Sequence, residues 1–163
     1  AGVSAPAAHD VTFRDATAAD LDAIMALERA SFPTDAWSEN MMAEELVSPH
    51  GRYLVAERGD ELLGYGGVRV VKGSHEGDIQ TIAMAAASRG LGLGRTLLRA
   101  LLDAGQDRGA REIFLEVRAD NDVAHALYVS EGFVELGRRA HYYQPDDVDA
   151  IVMRCHLKPK ENA

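Results

Sequence analysis

Cysteine is nearly missing from this chain. Among 163 residues the only one is Cys155, so no disulfide can form within the chain and a cysteine-held zinc site is excluded. A reducing, cytoplasmic setting is the expectation. Long apolar runs are missing too: none approaches the ~18 residues of a membrane helix, so no transmembrane span is expected. The opening stretch AGVSAPAAHD lacks the basic flank and apolar centre of a signal peptide and reads as a loose tail over residues 1–10. Positive charge is scarce, with 17 Lys+Arg against 26 Asp+Glu and a net charge of -9. Direct binding to nucleic acid calls for a basic surface, so none is expected. An acidic balance suits a cationic polypeptide partner, or serves solubility alone.

What remains is an ordinary globular composition. Hydrophobic residues make up 47% and charged residues 26%, enough to bury one real core. A single domain over residues 11–157 is expected, with a short tail at 158–163. Val11 to Arg14 reads as a first strand. TAADLDAIMALERASF follows as a helix, with Thr17 as N-cap and Leu21, Ile24, Met25 and Leu27 at helical spacing. Pro33 stops it. Ser38 caps a second short helix carrying Met41, Met42 and Leu46. Two apolar runs around Gly59-Asp60 form a hairpin, and GDIQTIAM adds a third strand to an antiparallel meander.

The next stretch, SRGLGLGRTLLRALLDAG, sets three alternate glycines, Gly90, Gly92 and Gly94, at the mouth of a leucine-striped helix. Such an entrance lets backbone N–H groups converge on an anion, with Arg89 and Arg95 able to add charge. A dinucleotide fingerprint, G-x-G-x-x-G, fails because Arg95 stands where its third glycine belongs, and because a hairpin series precedes the loop. A nucleotide-triphosphate loop fails because GRT lacks its lysine. Glycines serving helix–sheet packing alone remain the alternative. REIFLEVR then alternates as a strand, with Glu116 opposite in direction to Leu115 and Val117. A carboxylate there lines a cleft or is satisfied by Arg118 or Arg111. DNDVAHALYVSEGF forms a shorter helix capped by Asp120 or Asn121 and stopped at Gly132. Asn121, Ala124 and Tyr128 share one face of it, with His125 off that stripe and facing solvent. Apolar segments at Phe133 to Leu136 and Ile151 to Cys155 close a mixed α/β pattern.

QTIAM followed by RGLGLGR resembles the acetyl-CoA signature of the GNAT N-acetyltransferases, R/Q-x-x-G-x-G/A, with Arg89, Gly92 and Gly94 at its positions. LEVRADNDVAHALYVSEGF, AWSENMMAEEL and GRRAHYY are similar to the ribosomal-protein alanine N-acetyltransferase (RimI) branch of that family, and the likeness spans Val11 to Leu157. One departure is MAAAS after the strand, where the family commonly carries valine and a nearby proline. The resemblance implies an α/β (α+β) GNAT fold, a mixed, mostly antiparallel central sheet flanked by helices. It implies acetyl-CoA as co-substrate, without a metal, and direct transfer in a ternary complex. The loop residues Arg89, Gly90, Leu91, Gly92, Leu93, Gly94 and Arg95 would hold the CoA diphosphate. Backbone of Ile82, Ala83 and Met84 would meet the pantetheine arm and thioester carbonyl, and Asn121 would contact CoA.

Acyl transfer needs a neutral amine, and an α-amino group with a pKa of ~8 is largely protonated at neutral pH. A base must take that proton, and an acid must protonate the departing thiolate. By resemblance these are Glu116 and Tyr128, with plain packing as the alternative for the tyrosine. Trp37, Tyr142 and Tyr143 would wall the groove for a peptide N-terminus, again with packing as the alternative. The implied partner is the N-terminal alanine of a small-subunit ribosomal protein. Competing readings are a GNAT enzyme acting on lysine or a small amine, a non-catalytic acyl-CoA-binding module, and a nucleotide-binding module. An acyl-enzyme on Cys155 lacks any partner in the motifs.

Overall fold

Period-2 and period-3.6 apolar patterns alternate along the chain, and each becomes the element its period favours. The computed structural model describes residues 10–159, so most of the two expected tails lies outside the described residues. In order the elements are β1 (Thr12–Asp15), α1 (Leu21–Ser31), α2 (Glu39–Val47), β2 (Gly51–Arg58), β3 (Glu61–Val70), β4 (Glu76–Met84), α3 (Leu93–Asp107), β5 (Glu112–Arg118), α4 (Asp122–Ser130), β6 (Val134–Tyr143) and β7 (Val148–His156). This is the order predicted from sequence. Boundaries differ at β6 and β7, which run longer than the apolar segments Phe133 to Leu136 and Ile151 to Cys155, and at the start of α1. Thr17 caps a single 3-10 turn, Ala18–Asp20, rather than α1 itself. Its N–H is taken by the Asp20 carboxylate at 2.7 Å, and the α-helical bonds begin only at Leu21.

The strands form one seven-stranded sheet in the order β1-β2-β3-β4-β5-β7-β6. Every neighbouring pair is antiparallel except β4 and β5. Helices cover both faces. On one, Leu97, Leu98 and Leu101 of α3 and Tyr128 of α4 pack on Val68, Ile113, Leu115 and Val117. On the other, Ile24 and Met25 of α1 and Met42 of α2 pack on Tyr53, Val55 and Tyr65. Each large side chain so buried contributes about 1.5–3 kcal/mol.

Two irregularities open the sheet. The parallel pairing of β4 with β5 runs only from Glu76–Glu112 to Asp78–Phe114, so beyond Asp78 the two strands separate and leave a cleft. In β4, Thr81 pairs with Gly67 and Ile79 with Val68, so Gln80 is an extra residue, a bulge that reverses the alternation of faces. Asp78 and Thr81 thereby share a cleft with Glu116.

Candidate active site

The glycine segment bends because two residues adopt left-handed backbone angles, Gly90 at φ 84 and Gly92 at φ 76. A side chain there is strained whatever the space around it. Gly94 differs: it already lies in the first turn of α3. Gly92 caps the helix with no side chain to satisfy its first donors. Among the described residues no hydrogen bond takes the N–H groups of Gly90 through Arg95; the first one inside the helix runs from Thr96 to the Gly92 carbonyl. A run of unpaired donors at a helix N-terminus is an anion cradle. It opens on a cavity of about 840 Å³ lined by Ile82, Ala83, Met84, Gly92 and Gly94 on one side and Asn121, Ala124 and Tyr128 on the other.

A second cavity of about 890 Å³ occupies the cleft between β4 and β5. Glu116, Trp37, Tyr142 and Tyr143 line it, and Ile82, Asn121, Ala124 and Tyr128 line both cavities. The two therefore meet at the small Ala124 and the ring of Tyr128. That ring is 6% exposed and packs against Phe133 with centroids 5.6 Å apart. Burial, with Tyr143 nearby, pushes the Tyr128 hydroxyl well above its ordinary pKa, so it keeps its proton at neutral pH. Tyr142 and Tyr143 meet edge to face at 5.1 Å. Burial, then the Glu116 charge, pushes Tyr143 up to about 12, and Glu116 itself is the main cause of the rise at Tyr142.

Comparison with known proteins identifies this arrangement. The profile of the Acetyltransferase (GNAT) family matches residues 21–133. The chain belongs to the GNAT acetyltransferase family. The N-alpha-acetyltransferase RimI of Mycobacterium tuberculosis is 41% identical over 147 residues, 88% of this chain and 91% of that protein. The ribosomal protein bS18-alanine N-acetyltransferase of Escherichia coli K12 is 35% identical over 138 residues, covering 82% of this chain and 89% of that protein. The crystal structure of the ribosomal-protein-S18-alanine N-acetyltransferase from Escherichia coli superposes with a TM-score of 0.82 at 30% identity, over 93% of this chain and 96% of that one. The protein is thus an acetyl-CoA-dependent N-acetyltransferase with the GNAT fold.

Within this acetyltransferase several expectations need correcting. Glu116 pairs with neither Arg118 nor Arg111 but with Arg139 at 3.2 Å, and 29% of its side-chain surface stays accessible. The reason is the register: Arg139 on β6 pairs with Ala150 and Glu116 on β5 with Val152, so β7 carries them across one another. Leu91 lines neither cavity; its side chain packs inward with Leu63 and Leu93, leaving only its backbone for the loop. Arg95 lines the glycine-loop cavity and is held there by Glu131 at 2.5 Å. The Arg89 side chain makes no hydrogen bond or ion pair among the described residues, and Arg89 lines the glycine-loop cavity. His125 lines neither cavity. Asn121 spends its side-chain oxygen capping α4, accepting from the Ala124 N–H at 3.2 Å.

Sequence reasoning passed over Glu28 and Asp78. Glu28 is 1% exposed; its carboxylate accepts from the Tyr65 hydroxyl, from Thr81 Oγ1 at 2.9 Å and from the Trp37 N–H at 3.1 Å. A charged residue at helical spacing from Leu21, Ile24 and Met25 was the signal that could have found it. Asp78 lines the cleft, and burial, then Glu76 and Glu116, raise its carboxyl above the usual range. Nothing in the sequence marks it, because the bulge at Gln80 sets its face. Burial, then Glu131, pushes the Cys155 thiol up, the reverse of an activated nucleophile. Among the described residues no group of three or more His, Cys, Asp or Glu could hold a metal ion. No helix there is long and apolar enough to cross a membrane.

Proposed function

We propose that this acetyltransferase transfers the acetyl group of acetyl-CoA to the α-amino group of a polypeptide, foremost the N-terminal alanine of the small-subunit ribosomal protein S18. The observation that carries this reading is the meeting of the two cavities at Tyr128 and Ala124. One has the anion cradle of Gly90 through Arg95; the other has a carboxylate, aromatic walls and room for a chain end. The names of the relatives, N-alpha-acetyltransferase and bS18-alanine N-acetyltransferase, support the same substrate class. Residues 11–157 serve as one acetyltransferase domain in this reading, and the acidic balance of the chain favours a basic protein substrate over nucleic acid.

CoA supplies the activated thioester. The N–H groups of the glycine loop and the start of α3 bind its diphosphate, Arg89 adds charge, and Asn121 lies along its path. The β4 edge at Ile82, Ala83 and Met84 has no strand beside it on the β5 side, which leaves backbone donors to orient the arm and polarise the thioester carbonyl. Glu116 accepts the proton of the incoming amine through solvent, and the protonated Tyr128 hydroxyl gives one to the departing sulfur. Trp37, Tyr142 and Tyr143 hold the peptide's first residues.

Peptides beginning with Ala, peptides beginning with other residues, and N-terminally blocked peptides carrying lysine test this, each incubated with acetyl-CoA and read by mass spectrometry. Product on free termini, strongest with Ala, is expected. Product on the blocked lysine peptides alone would assign the enzyme to side-chain amines instead.

A further inference from the structure

Arg118, the last residue of β5, is gripped from three directions. Its guanidinium donates to both oxygens of Asp120 in the turn that follows, at 3.0 and 3.1 Å. It donates to Asp146 Oδ2 in the β6–β7 connection at 3.1 Å and to Asp35 Oδ1 in the α1–α2 connection at 3.4 Å. It also lies over the Tyr143 ring, 5.3 Å from the centroid. Thr34 Oγ1 donates to the same Asp146 oxygen at 2.6 Å. The two connections are therefore tied to each other directly and through Arg118.

These connections carry or directly adjoin the aromatic walls of the β4–β5 cleft. Trp37 follows Asp35 by two residues, and Tyr143 precedes Asp146 by three. Arg118 lines that cleft and not the glycine-loop cavity. Its side chain is only 16% accessible, so water screens its bonds less than it would those of a surface pair. A planar guanidinium has donors enough to serve three carboxylates at once; an ammonium has no fork to match them. Glu116 is engaged elsewhere, with Arg139, so Arg118 does not bear on the proton acceptor.

We infer that Arg118 is a positioning residue for the polypeptide substrate, fixing the spacing of the α1–α2 and β6–β7 connections across the mouth of the β4–β5 cleft. The inference rests on reading that cleft as the polypeptide site. Arg118 takes no proton in the reaction; it holds Trp37 and Tyr143 at the separation a peptide N-terminus meets. Its loss falls on the polypeptide and spares the coenzyme.

Steady-state kinetics with acetyl-CoA and an alanine-initial peptide test this in the wild type, Arg118→Met, Arg118→Lys and Asp146→Ala, with CoA affinity read by calorimetry. Arg118→Met should raise the peptide KM about tenfold or more, the ~1.4 kcal/mol scale of a lost charge-assisted bond, with kcat within about threefold and CoA affinity unchanged. Arg118→Lys should recover part of the loss. Asp146→Ala, in a turn where truncation spares the core, should raise KM in the same direction, and the double variant should add little because both remove one clasp. Should Arg118→Met fail to fold, Arg118→Lys and Asp146→Ala carry the comparison. Unchanged peptide KM in the variants, or a parallel fall in kcat and CoA affinity, overturns the assignment. Absence of wild-type turnover on any free N-terminus overturns the functional reading as well, which distinguishes the two failures.

Discussion

Glu116 faces Arg139 at 3.2 Å, and Tyr128 keeps its proton by burial. In the proposed mechanism these two side chains move protons in opposite directions, so their removal should leave ground-state binding intact. Glu116→Gln should lower kcat about 10²-fold or more at neutral pH, with CoA affinity by calorimetry within about twofold; undiminished turnover would end its role as proton acceptor. Tyr128→Phe keeps the ring packed on Phe133 and deletes only the hydroxyl. It should lower kcat roughly tenfold or more while the melting temperature stays near that of the wild type. Their place at the cleft was legible from sequence only with the family resemblance added to the strand direction of Glu116 and the helical spacing of Tyr128 from Asn121. The partner of Glu116 was not, because it is set by β6–β7 register rather than by neighbours along β5.

Two elements carry their own tests. In the glycine loop a Cβ at Gly92 would meet no atom within 4 Å, so Gly92→Ala strains only the φ 76 backbone. At ~1–2 kcal/mol for a left-handed residue, the loop should relax away from its cradle. CoA binding should then weaken about five- to thirtyfold. Wild-type affinity in this variant would mean that the bend is not what binds. Glu131, beyond the end of α4, holds Arg95 at 2.5 Å and Arg99 at 3.0 Å on α3. Burial alone would raise its carboxyl, but the hydrogen bonds from Arg99 and Arg95 outweigh this and keep it below the usual range. A carboxyl depressed in the folded state stabilises above its unfolded pKa and loses that contribution as pH falls through the folded value. Glu131→Gln should therefore melt a few degrees below the wild type at pH 7, for ~1–2 kcal/mol. The gap should close in acid, below the ordinary carboxylate range. A gap of equal size at both pH values would contradict the ion pair as its cause. The loop and α3 were readable from three glycines and a leucine stripe. The Gln80 bulge was not, because in so short a strand it shows only as a three-residue step between Ile79 and Ile82, which pack in the same cluster. Nor was the full length of β6, nearly all of whose residues are exposed and so carry no burial pattern.

At the scale of the whole molecule, fold class was legible because each face of the sheet is covered by helices whose apolar stripes announce them. The cleft between β4 and β5 depends on where parallel pairing ends, which no local pattern encodes. A net charge of -9 should draw a basic polypeptide more than a neutral one, and salt should weaken that preference. Raising ionic strength from about 0.05 to 0.5 M, where the Debye length shrinks severalfold, should increase KM for a lysine- and arginine-rich alanine-initial peptide and leave a neutral one nearly unchanged. Equal responses would confine the negative charge to a role in solubility.

In the proposed function, the glycine-loop cavity and the β4–β5 cleft, which share Tyr128 and Ala124, serve coenzyme and polypeptide as one continuous site. A covalent conjugate of CoA with an alanine-initial peptide, titrated by calorimetry, measures that continuity directly. The conjugate should bind at least about 100-fold tighter than CoA alone, because its second half enters the cleft as an intramolecular event. Affinity no greater than that of CoA would contradict a shared site for both substrates.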